Sequence, residues 1–208
     1  MGRSFSSPEG MGMYLSLILR PDCHPTELMH LTCAAAVAAC QAVRNASGLQ
    51  PGIKWTNDLV LGKFKLGGIL TELSLRPKDD RVDWAIIGIG INCLQTAADF
   101  PPELQAMATS LKIAGQPIPP AALTAAMIEA LESMNCRLFT EKEQLLAFYR
   151  AHCITLGKQI RLVQGDRDLY ATAIGIDPAG GLEVVLEDGT PMTVSSGEVS
   201  IRGMYGYV

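Results

Sequence analysis

This chain is short of charge, short of aromatics and without any grouped metal ligands. Charged residues are 18% and aromatics 6% of its 208 residues against 48% hydrophobic, which is enough apolar material for a core and excludes a generally disordered chain. The six cysteines (23, 33, 40, 93, 136 and 153) form no Cys-x-x-Cys pair, and His24, His30 and His152 show no ligand spacing. A zinc site is therefore not expected. Cys33 and Cys40 are seven apart in a helical pattern, on one face, and buried reduced thiols of this kind fit a cytoplasmic protein. The net charge is −4 and no basic block stands out, so neither nonspecific nucleic-acid binding nor an anionic surface is the expected partner. The longest apolar run, Leu31 to Val43, is broken by Thr32 and Gln41 and is too short to span a bilayer. After Arg3 there is no apolar stretch or cleavage site of a secretion signal. No Ser/His/Asp or Cys/His arrangement and no Walker sequence occurs, so an enzyme made from this chain works by positioning and charge stabilisation, not through a covalent nucleophile.

What is present reads as one sizeable unit with a small appendage. Residues 11–20 predict a buried strand ended by Pro21, and Thr26 is placed to cap a helix running to about Ala46, with Gly48 beyond its end. Residues 53–61 and 64–73 predict two strands joined at Gly62-Lys63. Trp84 to Asn92 is apolar on both faces and predicts a central strand. Residues 93–118 read as loop, 120–140 and 141–156 as helices. After Gly157 the rhythm changes to short alternating segments, 159–164, 168–176, 182–187, 190–195 and 198–203, split by Gly165-Asp166, Pro178-Ala179-Gly180-Gly181 and Asp188-Gly189. That pattern predicts a small β-barrel leaning on the larger unit. The expected fold is α/β (α+β): a mixed sheet flanked by helices over 1–156, then the barrel over 157–208.

Polar chemistry concentrates in two short segments of the hairpin, Lys54-Trp55-Thr56-Asn57-Asp58 and Lys65-Leu66-Gly67-Gly68-Ile69-Leu70. Charges in a buried hairpin are costly unless paired, so a charged ligand is one candidate partner. A plain Lys54–Asp58 ion pair with a solvated face is the other. Lys65 precedes Gly67 and Gly68, where missing side chains let a ligand approach the backbone, and an ammonium there suits a phosphate or carboxylate oxygen; a surface lysine beside a glycine-marked bulge fits the same residues. Asp58 suits a hydrated Mg²⁺, or a strand-end partner for Lys54. Asn57 and Asn92 each offer a donor and an acceptor, as a purine edge requires. Gly88-x-Gly90 lacks the third glycine and the helix of a dinucleotide fingerprint, and close packing accounts for it equally well.

Together these segments resemble the biotin protein ligases, which activate biotin with ATP and attach it to a carrier-protein lysine. Gly2-Arg3-Ser4-Phe5-Ser6-Ser7-Pro8 resembles the end of the family's glycine- and arginine-rich loop, and Tyr14-Leu15-Ser16 the strand after it. Lys54-Trp55-Thr56-Asn57-Asp58 is similar to the family's Lys-Trp-Pro-Asn-Asp, with Thr56 in place of the proline. Lys65 to Glu72 resembles Lys-Leu-Gly/Ala-Gly-Ile-Leu-x-Glu, and Gly88 to Asn92 resembles Gly-x-Gly-x-Asn. Gly175-Ile176-Asp177 and Ser196 to Arg202 resemble the family's C-terminal SH3-like domain.

The resemblance implies a class II synthetase-like ligase core with ATP and biotin as substrates and Mg²⁺ as cofactor. It implies that Lys65 and Asp58 are catalytic, with Lys65 between the biotin carboxylate and the α-phosphate and Asp58 serving the metal. Gly67, Gly68, Tyr14 and Arg3 fall to biotin. Asn57, Asn92, Phe5, Arg202 and Glu198 fall to the nucleotide. The implied partner is the biotin carboxyl carrier protein of acetyl-CoA carboxylase, and the implied assembly a homodimer through the sheet. On the same resemblance the chain starts inside the family's substrate loop, lacking the opening strand and helix and most of that loop. No DNA-binding helix-turn-helix is seen. Two other readings stay open: an impaired paralogue that only binds ligand or carrier, and a lipoyl- or octanoyl-transferring relative.

Overall fold

The computed structural model describes residues 8–164, 167–195 and 198–201. Strand β1 (Gly12–Leu19) alternates with period two: Met13 and Leu19 are buried against helices, while Tyr14, Ser16 and Ile18 face out. A 3₁₀ turn follows at Pro25–Glu27, then helix α1 (Leu31–Ser47). The expected Thr26 cap is not what starts the helix. The Thr26 hydroxyl is taken by the His24 ring at 2.8 Å, His24 and Glu27 form a reciprocal capping box on the 3₁₀ turn, and α1 begins only after His30. At its other end Gly48, at φ 76°, closes α1 by donating to the Arg44 carbonyl at 2.8 Å, as expected of a left-handed cap.

Helix α1 is buried nearly all round, and alanines 34, 35, 36, 38, 39 and 42 let it lie close to both the sheet and the other helices. With the preceding turn, Pro25–Ser47 is 23 residues long and apolar enough to cross a membrane, longer than the run at 31–43 suggested; 72% of its apolar window is buried inside the fold, as for a core helix.

The expected strand at 53–61 is two strands, β2 (Gly52–Lys54) and β3 (Asp58–Leu61). The turn between them is held from outside: Trp55 N–H donates to Thr155 Oγ1 at 2.9 Å, and the Asn57 carbonyl accepts from Ile69 N–H at 2.9 Å. Strands β4 (Phe64–Leu75) and β5 (Val82–Asn92) complete a sheet in the order β1-β5-β4-β3-β2. Its ladders are antiparallel, and the parallel share of the expected mixed sheet shrinks to two isolated bridges, Ile53↔Cys153 and Lys65↔Ala108. β5 is interior, yet only one of its faces is covered. Ala85, Ile87, Ile89 and Ile91 are buried under the helices, whereas Ile86, Gly88 and Gly90 face a side that stays partly open.

Residues 93–118 hold more order than a loop. Lys65 N–H donates to Met107 O and Thr109 N–H to Lys65 O, both at 2.8 Å, and Leu111 N–H to Asn92 O at 3.0 Å. Helices α2 (Pro120–Arg137) and α3 (Lys142–His152) cover α1. A second antiparallel sheet follows, β6 (Gln159–Gln164), β7 (Arg167–Ile176), β8 (Leu182–Leu186), β9 (Pro191–Val194) and β10 (Glu198–Ile201), in the order β10-β6-β7-β8-β9. Ile160, Leu162, Ala173, Leu182, Val184 and Ile201 are buried in it, and they belong to one apolar cluster that also takes in the first sheet and its helices. The junction expected at 156/157 lies in the turn between α3 and β6. The β7–β8 turn rests on the first sheet's helices: Trp55 Nε1 donates to Gly180 O at 2.9 Å and Arg150 Nε to Ile176 O at 3.1 Å. Gly180, at φ 89°, has no room for a side chain, since a Cβ would stand 2.9 Å from Cys33 Sγ.

Candidate active site

One register row crosses the whole first sheet: Tyr14 opposite Gly90, Gly90 opposite Gly68, Gly68 opposite Asp58, and Asp58 opposite Lys54. Partners in an antiparallel ladder share a face, so two adjacent glycines make the floor of a trough walled by Tyr14 on one side and Asp58 on the other. Lys65 is three residues from Gly68 and in a regular strand would point to the opposite face. It does not, because Gly67 pairs with Leu59 and Lys65 with Val60, leaving Leu66 as an extra residue in β4. That β-bulge reverses the alternation and brings Lys65 onto the face of Gly68 and Asp58.

The ammonium arches over Gly68, and Lys65 Nζ meets Asp58 Oδ1 at 2.6 Å with the two side chains 40% and 17% exposed. The expected Lys54–Asp58 ion pair is thus replaced: Lys54, buried, is Asp58's strand partner, but the carboxylate is turned to Lys65. A half-open lysine over a glycine floor, held by one carboxylate, is a cation placed for an incoming anion.

The two glycines of β4 have different causes. A Cβ on Gly68 would meet Asp58 and Lys65 at 3.6 Å, ordinary contact, so space alone does not demand glycine there. A Cβ on Gly67 would overlap the Gly90 carbonyl oxygen and come within 2.6 Å of Ile91 Cδ1. Gly67 faces the helices, away from Tyr14, and packing accounts for it.

Tyr14 is half-exposed, its ring over Gly12, and burial, then Cys93, raises its hydroxyl above the ordinary value while the Gln95 side chain beside it acts the other way. Asn92, at the end of β5, is 6% exposed; its Nδ2 donates to Thr109 O at 2.9 Å and its Oδ1 accepts from Gln95 Nε2 at 3.2 Å. Asn57 is occupied differently: Nδ2 donates to Ile69 O at 2.7 Å, closing the hairpin where β3 stops. It also lines a cleft of about 290 Å³ between Leu70 and Thr71 of β4 and the Asp177–Gly181 turn of the second sheet. Among the described residues the only charged one lining that cleft is Asp177, whereas the Lys65 trough offers an anion a cation. Arg3, Phe5 and Arg202 lie outside the described residues, as does the side chain of Glu198.

The structure therefore brings together Tyr14, Gly68, Asp58 and Lys65, joins Asn92 to them through the 107–109 segment that bonds both Lys65 and Asn92, and sets Asn57 apart at the cleft. Gln95 and Thr109 were missed in the sequence. Both lie in a stretch without periodicity, and their signal is only that polar side chains there are 0% and 5% exposed.

For a metal, no group of three or more His, Cys, Asp or Glu exists among the described residues. One carboxylate, Asp58, faces the trough. This set does not build a resident site, and it fits Mg²⁺ carried on nucleotide phosphates, which needs one or two carboxylates from the protein.

Comparison with known proteins agrees with this layout. Residues 1–92 match the model of the Biotin/lipoate A/B protein ligase family, and residues 155–202 that of the Biotin protein ligase C terminal domain. The chain is 37% identical over 191 residues to the bifunctional ligase/repressor BirA of Bacillus subtilis, covering 91% of this chain and 58% of that protein. It is 30% identical over 174 residues to the biotin–[acetyl-CoA-carboxylase] ligase of Mycobacterium tuberculosis, covering 81% and 61%. It spans about three-fifths of the length of these curated relatives. Among solved structures, the Aquifex aeolicus biotin protein ligase in complex with biotin and ATP superposes with a TM-score of 0.77 at 26% identity, covering 97% of this chain and 82% of that one. By sequence at both ends and by fold throughout, this chain belongs to the biotin protein ligase family.

Proposed function

We propose that the chain is an ATP-dependent biotin–carrier-protein ligase, with a catalytic unit over 1–156 and an SH3-like unit over 157–208. The observation that carries it is the Lys65 ammonium suspended over Gly68 and beside Asp58, in a trough that crosses the sheet. In the first step the biotin carboxylate attacks the α-phosphorus of ATP, the bond to the β-phosphate oxygen breaks, and pyrophosphate leaves, giving biotinyl-5′-AMP. Two anions must meet, and Lys65 offsets their repulsion from the one place where it reaches both. In the second step a carrier lysine amine attacks the acyl carbon, AMP departs with the acyl-oxygen electron pair, and the amine proton is lost. Asp58 is the residue that would hold Mg²⁺ brought in with the nucleotide, and the ion would supply charge neutralisation to the phosphates. Asn92 reads the base, Tyr14 and Gly68 line the biotin end, and Asn57 serves the nucleotide from the cleft side. Arg3, Phe5, Glu198 and Arg202 complete this assignment.

The carrier is the biotin carboxyl carrier domain of acetyl-CoA carboxylase or a similar enzyme, in keeping with the name of the mycobacterial relative. The match of residues 155–202 to a biotin ligase domain supports biotin over lipoate. Six free thiols support a reducing, cytoplasmic setting, the acidic net charge supports a reading without nucleic-acid binding, and β1, an edge strand with Ile18 outward, supports pairing of two copies. The test is biotin-dependent exchange of pyrophosphate into ATP. The expected outcome is exchange that Lys65→Ala lowers by about 10²–10³-fold with folding intact; no exchange from folded wild-type protein removes the enzyme reading, and calorimetry with biotin and biotinyl-AMP then tells a ligand-binding paralogue from an inert chain.

A further inference from the structure

We propose that Gln95 is a positioning residue of the base site, acting through Asn92 to set discrimination between a 6-amino and a 6-oxo purine nucleotide; this rests on the ligase reading above. Gln95 is fully buried and its backbone carbonyl is fixed by Ser110 Oγ at 2.6 Å. Its Nε2 donates to Asn92 Oδ1, while its own Oε1 is buried without a hydrogen-bond partner. A buried acceptor left unpaired is unfavourable. Leucine would fill a similar volume with no such loss. What glutamine adds is its amide donor, which bonds Asn92 Oδ1 and also lies beside the Tyr14 hydroxyl.

The polarity of the chain Thr109–Asn92–Gln95 has one solution. The Thr109 carbonyl only accepts, so Asn92 must turn Nδ2 to it, and Oδ1 then faces Gln95, which must present Nε2. One anchor would leave the Asn92 amide free to pivot about its bond to Thr109. Two anchors fix its plane. What remains on Asn92 is one Nδ2 hydrogen beside one Oδ1 lone pair, a donor and an acceptor side by side. That pair complements an exocyclic amine next to a ring nitrogen. It opposes a 6-oxo group, whose oxygen would face Oδ1.

The experiment compares wild type with Gln95→Leu in pyrophosphate exchange driven by ATP or by ITP, which differs at that one substituent. In the variant the KM for ATP rises about tenfold and the ATP-to-ITP ratio of kcat/KM falls by a similar factor. The kcat at saturating ATP stays within about twofold of wild type, and any rise in the KM for biotin, through the neighbouring Tyr14, is smaller than that for ATP. Gln95→Glu adds a readout that mere packing would not move: its carboxyl can donate to Oδ1 only when protonated, so discrimination recovers as pH falls. A folded Gln95→Leu with an unchanged ratio, or one whose kcat and both KM values deteriorate together, overturns the proposal. If wild type shows no exchange, the ligase reading fails first. Calorimetric titration of ATP and ITP then decides this one, and equal preference in both proteins overturns it.

Discussion

The molecule contains two antiparallel sheets of five strands each, and they spend their outward faces differently. The C-terminal sheet buries Leu162, Ala173, Val184, Val194 and Ile201, which join the apolar cluster of the larger unit. The larger sheet covers one face with helices and leaves the other partly open, and along the row where apolar side chains would close it, Gly68 and Gly90 stand instead. Neither composition nor strand count separates the two. What does is a glycine row with an ion pair at its end, made possible by one extra residue at Leu66. The sheet that is incompletely packed is the one that holds the chemistry, because a ligand needs the volume that side chains would otherwise take.

The sharpest way to break that comparison is to put a methyl group on each glycine of β4 in turn. Gly67→Ala forces a Cβ onto the Gly90 carbonyl and against Ile91, and neither the carbonyl nor a packed isoleucine yields cheaply; a loss of about 3 kcal/mol or more is expected. For a chain of this size that lowers the melting midpoint by roughly 6–12 °C. Gly68→Ala meets only ordinary contacts, so its midpoint stays within a degree or two while pyrophosphate exchange falls. Equal stability losses at the two positions would show that the trough floor is a packing feature like its neighbour.

Much of this division was legible in the sequence, and the failures have one physical source. Where structure follows local period or local turn chemistry it was readable: the presence of β1, though read as buried where it alternates, the Gly48 cap, the hairpin at Gly62-Lys63 and the five segments after Gly157. Where a contact arrives from far along the chain it was not. Trp55 and Asn57 break the 53–61 segment in two because Thr155, Gly180 and Ile69 hold the turn. The pairing of Asp58 with Lys65 instead of Lys54 hangs on a bulge whose two residues, Leu66 and Gly67, are both buried and so look like an uninterrupted core run. Asn92 was readable as a candidate site residue from its place at a strand end, but its anchors, Gln95 and Thr109, belong to a segment with no periodicity to mark it.

A smaller effect is expected at the seam between the sheets. Trp55 Nε1 donates to the buried Gly180 carbonyl, whose only other partner among the described residues is the weak contact from Cys33 Sγ at 3.9 Å. Trp55→Phe keeps most of the ring and leaves that carbonyl without a strong donor, a loss of about 1–2 kcal/mol by denaturant unfolding. If the C-terminal sheet stood by its own core alone, the two sheets would separate into two transitions in this variant; a single cooperative transition at lower denaturant is the expected result, since Arg150 and the Gly157 amide still tie β7 to the rest.

The weakest perturbation is a proton among the helices of the larger unit. His30 caps α1, is buried, and has one ring nitrogen, Nε2, on the Leu138 carbonyl at 2.9 Å, while Nδ1 has no partner. A carbonyl only accepts, so Nε2 carries the hydrogen and Nδ1 a bare lone pair. Protonating Nδ1 would bury a charge with no acceptor for its new N–H and with Lys142 nearby; burial first, and Lys142 after it, hold the imidazole below its ordinary value despite the Leu138 bond. The unfolded chain has no such resistance and takes up the proton as pH falls through about 6.5. The depressed native value thus gives stability that is complete above that pH and is lost below it, at no more than about 1.4 kcal/mol for each pH unit from a single proton. Melting midpoints of wild type should fall between pH 7.5 and pH 5.0, and His30→Gln, which can still donate to Leu138 but cannot titrate, should fall by less. Parallel curves for the two proteins would place the acid sensitivity elsewhere and leave the α1–α2 contact at Leu138 insensitive to pH.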